Sequence, residues 1–291
     1  MNSTVLIFIA MTAFTLNSVC TRAFQTLLPD SKKHISSYQS LFCLFAAVCF
    51  FATSFPLEAP RLDTVLYGVV FGTLFFLVVI FMSKCFECGS MALTSVVVNM
   101  SLVIPVLYSY FSAGESVKAL HIVGIVLFAV SFSLSAFDRS KPIKAGAIWM
   151  LFLIVAFLAN GFCGVVQKHY AGHSPKPQMQ LLMTIAYFTS FLLYAALDLY
   201  NLSKGRLKYS RRQNLKTVLI ALASGFGSFG GNALVAYLCD KVEGAVLYPM
   251  VNGGFALLCM LSSFLIFKEK PDGKKLAAAG TGLVALVILS I

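Results

Sequence analysis

Residues 89–115 read GSMALTSVVVNMSLVIPVLYSYFSAGE, and residues 244–269 read GAVLYPMVNGGFALLCMLSSFLIFKE. Each stretch is a long apolar run that begins with glycine, contains one asparagine (Asn99 or Asn252) and ends on glutamate. Apolar runs of about 20 residues have the length needed to cross a bilayer. The repetition of one plan at a spacing of 155 residues predicts a membrane chain built from two similar halves.

The composition agrees with a membrane chain. Of the 291 residues, 59% are hydrophobic and 11% are charged, and the mean hydropathy is +0.86, whereas soluble domains carry roughly 25% charged residues. Main-chain polar groups find no water in hydrocarbon, so spans of this kind must be helices. The first run lacks a basic leader and is interpreted as a helix, not a signal peptide. The sequence predicts an all-α protein with ten spans, at about 3–22, 36–54, 63–84, 88–111, 117–137, 144–166, 177–199, 214–238, 244–267 and 272–290.

A second repeat signal joins the first and sixth spans. The pattern Ala-Phe-x-x-Asn-x-x-Cys occurs at 13–20 and again at 156–163, a spacing of 143 residues. Spans one to five and six to ten therefore resemble two copies of one unit, residues 1–140 and 141–291 of one membrane domain. Because five is odd, the second copy would enter the membrane from the opposite side. Inverted repeats of this kind place a binding site near the midplane, between the copies.

The net charge of +11 comes from basic residues in the short connections between spans. This placement argues against a nucleic-acid partner and leaves the lipid bilayer and a small molecule as the expected partners. Connections after the odd-numbered spans hold 17 Lys and Arg residues, and the other side holds 5. Cytoplasmic connections are enriched in these residues. The bias predicts an integral membrane protein of the plasma or inner membrane with both termini outside the cytoplasm.

The ten predicted spans, their five-plus-five repeat and the endings of spans four and nine resemble the EamA-like family of the drug/metabolite transporter superfamily. Pro105, Glu115 and Gly124 follow the family's proline, Gly-Glu and glycine pattern, and a looser second copy consists of Lys268, Glu269, Gly280 and Gly282. The resemblance implies ten short helices, two inverted repeats and transport by alternating access. Two features depart from the family: Tyr38 stands where its second helix often begins near an arginine, and its members commonly keep both termini cytoplasmic.

Polar and aromatic side chains within the spans are the candidate substrate-binding groups. An unpaired amide in hydrocarbon costs about 4–8 kcal/mol, so it must face protein or a wet cavity. Asn99 and Asn252 lie closest to the middle of their spans and are the strongest candidates. Hydrogen bonding between helices is the alternative role for any one amide, and packing is the alternative for the aromatic rings. The remaining candidates, chosen for amide groups or for shared helical faces, are Asn17, Asn160, Asn232, Ser101, Trp149, Tyr187, Tyr194 and Tyr248.

Other motifs favour structural roles. Gly225 to Gly230 matches G-x-G-x-x-G, but no strand precedes it, so helix packing is the preferred interpretation. Cys85 and Cys88 have C-x-x-C spacing without a second ligand pair for a metal. Glu115 and Glu269 are interpreted as helix-end residues. Neither a cofactor nor catalysis is expected, since no nucleophile has a nearby base.

The sequence therefore predicts a carrier of a small organic metabolite. Ionisable residues are sparse near the predicted span centres, which favours a neutral, zwitterionic or cationic cargo. Two other classes remain open. A lipid or lipid-linked-sugar flippase would use the same helices with a cleft open to the bilayer. A non-transporting membrane scaffold would instead show a dry, packed interface around Asn99 and Asn252.

Overall fold

The computed structural model describes residues 3–27, 34–55, 58–88, 94, 97–112, 118–136, 146–174, 178–204, 211–266 and 273–289. Within these ranges it contains α-helices and one 3-10 turn, and no strand, which confirms the predicted all-α class. The helices are α1 (Ser3–Leu27), α2 (Ile35–Thr53), α3 (Leu62–Cys88), α4 (Val103–Phe111), α5 (Ala119–Ala136), α6 (Ala147–His173), α7 (Met179–Ser203), α8 (Arg211–Leu238), α9 (Gly244–Leu265) and α10 (Gly273–Leu289).

Seven of the described helices, α1 to α3 and α6 to α9, are long and apolar enough to cross a membrane. Three shorter apolar helices accompany them: α5, α10 and a stretch over Val97–Phe111 that includes α4. Large side chains on the outer faces, such as Phe8, Leu66 and Leu219, are exposed. An apolar exterior of this kind suits lipid, and the chain is an integral membrane protein with transmembrane helices.

Several helices extend beyond the apolar runs that predicted them. The first span was predicted at 3–22, but α1 continues to Leu27, and the sixth was predicted at 144–166, but α6 continues to His173. Polar residues such as Gln, Lys and Arg are good helix formers, so main-chain bonding continues after hydropathy falls. Arg22 and Lys168, which were counted among the connection residues in the comparison of Lys and Arg, therefore lie inside helices.

The helices pack in a pattern that is preserved when α1–α5 exchange places with α6–α10. Helix α1 packs on α8, and α6 packs on α3; likewise α2 packs on α8, and α7 on α3. Helix α1 also contacts α9, as α6 contacts α4, while α2–α7 and α5–α10 pair directly across the two halves. Each half therefore buries its apolar faces largely against the other.

Helices approach one another closely at several glycine residues. A Cβ at Gly72 would run into the main-chain carbonyl of Ala186 on α7. A Cβ at Gly227 would lie 2.7 Å from the carbonyl oxygen of Ala13 on α1. The segment that contains Gly227 was predicted to be a packing surface, and the structure confirms this role. The G-x-G-x-x-G segment lies wholly within α8.

Hydrogen bonds define the two ends of the bundle. At the α1–α2 end, Ser36 on α2 donates to Asp198 at the end of α7 (2.6 Å). At the α6–α7 end, Ser174 donates to Asp63 at the start of α3 (2.9 Å). The hydroxyls of Thr64 and Tyr170 also meet there at 2.7 Å. The end of α1 thus lies opposite the end of α6.

Candidate functional site

A cavity of about 840 Å³ lies between the two halves of the chain. Its walls come from α1, α2, α3, the 98–105 segment and α5 in the first half, and from α6, α8 and α9 in the second. This volume is within the range of small-molecule sites, roughly 300–1,000 Å³. Phenylalanine rings form much of the apolar wall, including Phe14, Phe42, Phe71, Phe75 and Phe255.

Seven of the ten sequence-derived candidates line this cavity, and they come from both halves of the chain: Asn17, Asn99, Ser101, Asn160, Asn232, Tyr248 and Asn252. Other polar residues join them that sequence reasoning did not select, including Ser18, Gln39 and Gln167. Gln167 lies about two turns after Asn160 on α6, whereas Ser18 and Gln39 carried no distinguishing pattern of their own. The cavity wall is thus apolar with a band of amides and hydroxyls.

Three candidates lie elsewhere. Trp149 is buried beside Cys85 and donates its Nε1 hydrogen to Thr94 Oγ1 (3.3 Å). Tyr187 and Tyr194 are buried on α7, a helix that does not contribute to the wall. Their spacing gave them a common face, but that face packs on neighbouring helices because α7 lies outside the cavity. The structure therefore places these three side chains outside the cavity wall.

Tyr187 instead supports the cavity wall from behind. Its hydroxyl meets Ser228 Oγ at 2.6 Å and accepts a hydrogen bond from Asn232 Nδ2 at 2.9 Å. Its ring stacks on Phe50, with ring centroids 5.6 Å apart. Ser228 and Asn232 both line the cavity, so Tyr187 fixes the orientation of two wall residues.

The cavity amides differ in what holds them. Asn17 Oδ1 accepts a hydrogen bond from Ser224 on α8 (2.5 Å), which joins α1 to α8. Asn160 Nδ2 donates to Ser101 Oγ (2.7 Å), which joins α6 to the segment before α4. Asn252 Nδ2 donates to the carbonyl of Tyr248 in its own helix (3.0 Å). The first two amides thus hold helices together, while the Asn252 bond joins no second helix.

Main-chain bonding is irregular next to two cavity amides. A 3-10 turn at Met100–Leu102 follows Asn99 and precedes Pro105. Pro249 lies inside α9, three residues before Asn252. Proline has no N–H and disrupts the bond to the fourth preceding carbonyl. Pro105 and Pro249 therefore weaken main-chain bonding in the first and the second half of the chain.

The cavity stops at the α6–α7 end against a set of contacts that we call the sealed layer, formed by Tyr108, Gly164, Lys168, His169, Cys239, Val242 and Tyr248. Lys168 Nζ donates to the carbonyl of Cys239 (2.6 Å) and to that of Val242 (3.1 Å). Tyr248 donates its hydroxyl hydrogen to the carbonyl of Gly164 (2.9 Å). The sealed layer thus joins the end of α6 to the turn between α8 and α9.

Two further contacts close the same end. The Tyr108 hydroxyl and His169 Nδ1 lie 2.6 Å apart and join α4 to α6. Apolar side chains from α1, α8 and α9 form a buried cluster around the sealed layer, including Leu6, Leu238 and Leu247. At the α1–α2 end the cavity reaches Arg22, Met82 and Ser262, which lie within about two turns of their helix ends. The cavity is therefore displaced towards the α1–α2 end.

Arg22 is the only charged side chain among the described residues that line the cavity. It is half-buried and follows Asn17, Ser18 and Thr21 along α1. Sequence reasoning missed it because the apolar run ends there. The helical spacing could have identified Arg22 as a lining residue, since it lies one turn after Ser18 on the same helical face.

Some sequence-level assignments fall on other parts of the chain. Glu115 and Glu269 lie outside the described residues, as does the side chain of Cys88. Cys85 is buried against Trp149. Within the described ranges, no group of three or more His, Cys, Asp or Glu side chains has a metal-binding arrangement.

No protein-family model matches the sequence, and no curated protein matches it. One solved structure, described only as the crystal structure of a protein, superposes with a TM-score of 0.75. The match covers 99% of this chain and 98% of that one, at 12% sequence identity. At this identity the similarity shows a shared fold alone, and fold does not determine function.

We expect Tyr187→Phe to destabilise the protein by about 1 kcal/mol, because it removes a buried hydroxyl that bonds two partners. Tyr194→Phe is the matched control: the Tyr194 hydroxyl is buried without a hydrogen-bond partner among the described residues, so its removal should be neutral or stabilising. Thermal unfolding of both purified variants in detergent checks this. Equal shifts would contradict the supporting role assigned to Tyr187.

Proposed function

We propose that this chain is a membrane transporter that moves a small organic metabolite by alternating access. The observation that carries the proposal is the cavity of about 840 Å³, which both halves line with amides and which the sealed layer closes at one end. A closed end beside a cavity displaced towards the opposite end is the arrangement of a carrier facing one side.

The packing pattern supports a repeat. Exchange of α1–α5 with α6–α10 preserves the main helix pairs, as two inverted five-helix units would require. Residues 1–140 and 141–291 are the proposed units, and the EamA-like family is the proposed affiliation. The cavity lies between them, where inverted-repeat carriers bind their cargo.

The distribution of Lys and Arg residues supports the proposed orientation of the chain in the membrane. The connections at the α1–α2 end belong to the side with 17 Lys and Arg residues, against 5 on the other. Under the positive-inside rule, the α1–α2 end faces the cytoplasm and both termini lie outside it, in a plasma or inner membrane. The conformation described here then faces the cytoplasm.

A membrane scaffold is supported less well. That alternative expects a dry, packed interface around Asn99 and Asn252, whereas both side chains line the cavity. A flippase differs from a metabolite carrier in its cargo, so it becomes one outcome of the reconstitution experiment.

The experiment uses the native thiols of protein reconstituted in liposomes. Cys163 and Cys259 line the cavity, while Cys49 is a half-buried thiol outside it and serves as the control. A membrane-impermeant maleimide is applied from one side, and peptide mass spectrometry measures each cysteine. Trypsin cleavage at the Lys and Arg residues of 204–216, which the sequence assigns to the α1–α2 end, scores which end of each molecule faces outwards.

We expect Cys163 and Cys259 to react from the α1–α2 end, with Cys49 unchanged between the two sides. The same liposomes should accumulate at least one compound from a mixture of amines, amino acids, organic acids, nucleosides and vitamins. Equal reactivity from both sides together with no uptake would contradict the proposal. Translocation of a fluorescent lipid without metabolite uptake would establish the flippase instead.

A further inference from the structure

Arg22 lies on a graded face of α1. Phe14, Asn17, Ser18, Thr21 and Arg22 all line the cavity, at successive turns of the helix. The face therefore changes from an aromatic ring to an amide and hydroxyls, and then to a guanidinium group. A single small molecule lying along α1 would meet apolar and cationic surfaces at its two ends.

The facing wall of α9 carries an aromatic ring at the level of Phe14. Phe255 packs edge-on against Phe14, with ring centroids 6.2 Å apart. One turn later, Cys259 lines the cavity near Ser18, and Arg22 follows one turn further along α1. The aromatic pair and the arginine therefore occupy different levels of one cavity, separated by the Ser18–Cys259 level.

We propose that the transported molecule carries an oxyanion group, a carboxylate or phosphate type, which Arg22 binds, and an apolar portion that packs on Phe14 and Phe255. The proposal rests on the transporter function proposed above and narrows its cargo. The planar guanidinium presents paired N–H donors that match the two oxygens of such a group. Charged side chains at membrane depth typically face a bundle interior or a water-filled cavity and mark substrate pathways.

This inference changes the charge class expected from the sequence. The expectation of a neutral, zwitterionic or cationic cargo treated Arg22 as part of a connection. With Arg22 in the cavity wall, the expected cargo can be a zwitterion, whose carboxylate would bind Arg22, or an anion. A purely cationic cargo would instead meet like charge at Arg22, which is unfavourable at short range.

A structural role for Arg22 makes a different prediction. An arginine that serves only to join helices or to contact the bilayer interface would affect stability without discriminating between ligands. The experiment therefore compares probes that share one apolar body and differ in charge: phenylacetate, benzylphosphonate, phenylacetamide and phenethylamine. The readout is protection of Cys259 from alkylation, relative to Cys49 in the same molecule.

We expect phenylacetate or benzylphosphonate to protect Cys259 in the wild-type protein, and the one that does so identifies the oxyanion class. Arg22→Gln should raise the half-protective concentration about tenfold or more, the usual effect of losing a hydrogen bond to a charged group. Arg22→Lys should raise the half-protective concentration less, because lysine keeps the positive charge. Lys84→Gln is the matched control, since Lys84 is an exposed cation at the same end that does not line the cavity. Unfolding temperatures of all the variants check their fold.

Three results would overturn the inference: equal protection by phenylacetamide or phenethylamine, undiminished protection in a folded Arg22→Gln variant, or no protection by either anionic probe. None of these results bears on the sided reactivity of Cys163 and Cys259 or on metabolite uptake, so failure of the oxyanion assignment is distinguishable from failure of the transporter proposal.

Discussion

Lys168→Met should open the α6–α7 end and raise the alkylation rate of Cys239 by about 10- to 100-fold. Lys168 is 7% exposed and donates to the carbonyls of Cys239 and Val242 at the α8–α9 turn. Hydrogen bonds from charged groups contribute about 1.5–3 kcal/mol each, and removal leaves one buried and one part-buried acceptor without this donor. A shift of that size changes the ratio of open to closed states by about one to two powers of ten.

Cys239 is itself the reporter. Its side chain is fully buried, and its sulfur lies 3.5 Å from the hydroxyl of Tyr248, so reagent reaches it only when this end opens. The matched control is Lys241→Met, which removes an exposed lysine of the same turn whose Nζ lies over the ring of Tyr237. We expect no change in Cys239 reactivity for the control. An unreactive Cys239 in a folded Lys168→Met protein, or the same rise in both variants, would show that Lys168 does not hold the end closed.

Under the proposed transport function, Asn252→Leu should reduce uptake of the transported compound on the order of tenfold while leaving the fold intact. Asn252 lines the cavity, and its amide donates to Tyr248 in its own helix. Leucine is nearly the same size as asparagine. The substitution removes no described hydrogen bond between Asn252 and a second helix. Loss of one hydrogen bond to the cargo, about 1–1.5 kcal/mol, corresponds to roughly tenfold in binding.

The comparison variant is Asn232→Leu. Asn232 also lines the cavity, but its amide donates to the Tyr187 hydroxyl on α7 (2.9 Å). Its loss should lower the unfolding temperature, because an interhelical bond is broken. Initial uptake rates and thermal unfolding separate the two effects. Wild-type uptake in a folded Asn252→Leu protein would remove Asn252 from the proposed binding site.

Hydropathy predicted the helices well and their ends poorly. Apolar runs locate spans because the bilayer requires them, and the all-helical class followed from the same requirement. The extension of α6 to His173 could not be predicted in this way, because main-chain hydrogen bonding does not stop where hydropathy falls. Lys168 lies in this extension, and Arg22 is the last residue of a predicted span that α1 extends to Leu27, so both cations were counted as connection residues.

Helical spacing predicted which side chains share a face, but not which neighbour that face meets. Asn252 and Tyr248 share a face of α9 that borders the cavity. Tyr187 and Tyr194 share a face of α7 that packs against Phe50 and Phe76. The two cases look alike along the chain and differ only in tertiary packing. The assignment of carrier, family and membrane orientation remains a prediction.

The sealed layer has a consequence for the relative populations of the two access states. At the 143-residue spacing, the counterpart of Lys168 is Gln25, and the counterpart of Arg22 is Val165. Under the proposed repeat, the two access states of the empty protein therefore differ in free energy, since only one closure uses a buried lysine. The empty carrier would rest facing the α1–α2 end, and cargo arriving from that side would find most molecules ready to bind. Half-saturation from the other side would require a higher concentration, even though the overall equilibrium across the membrane is unchanged.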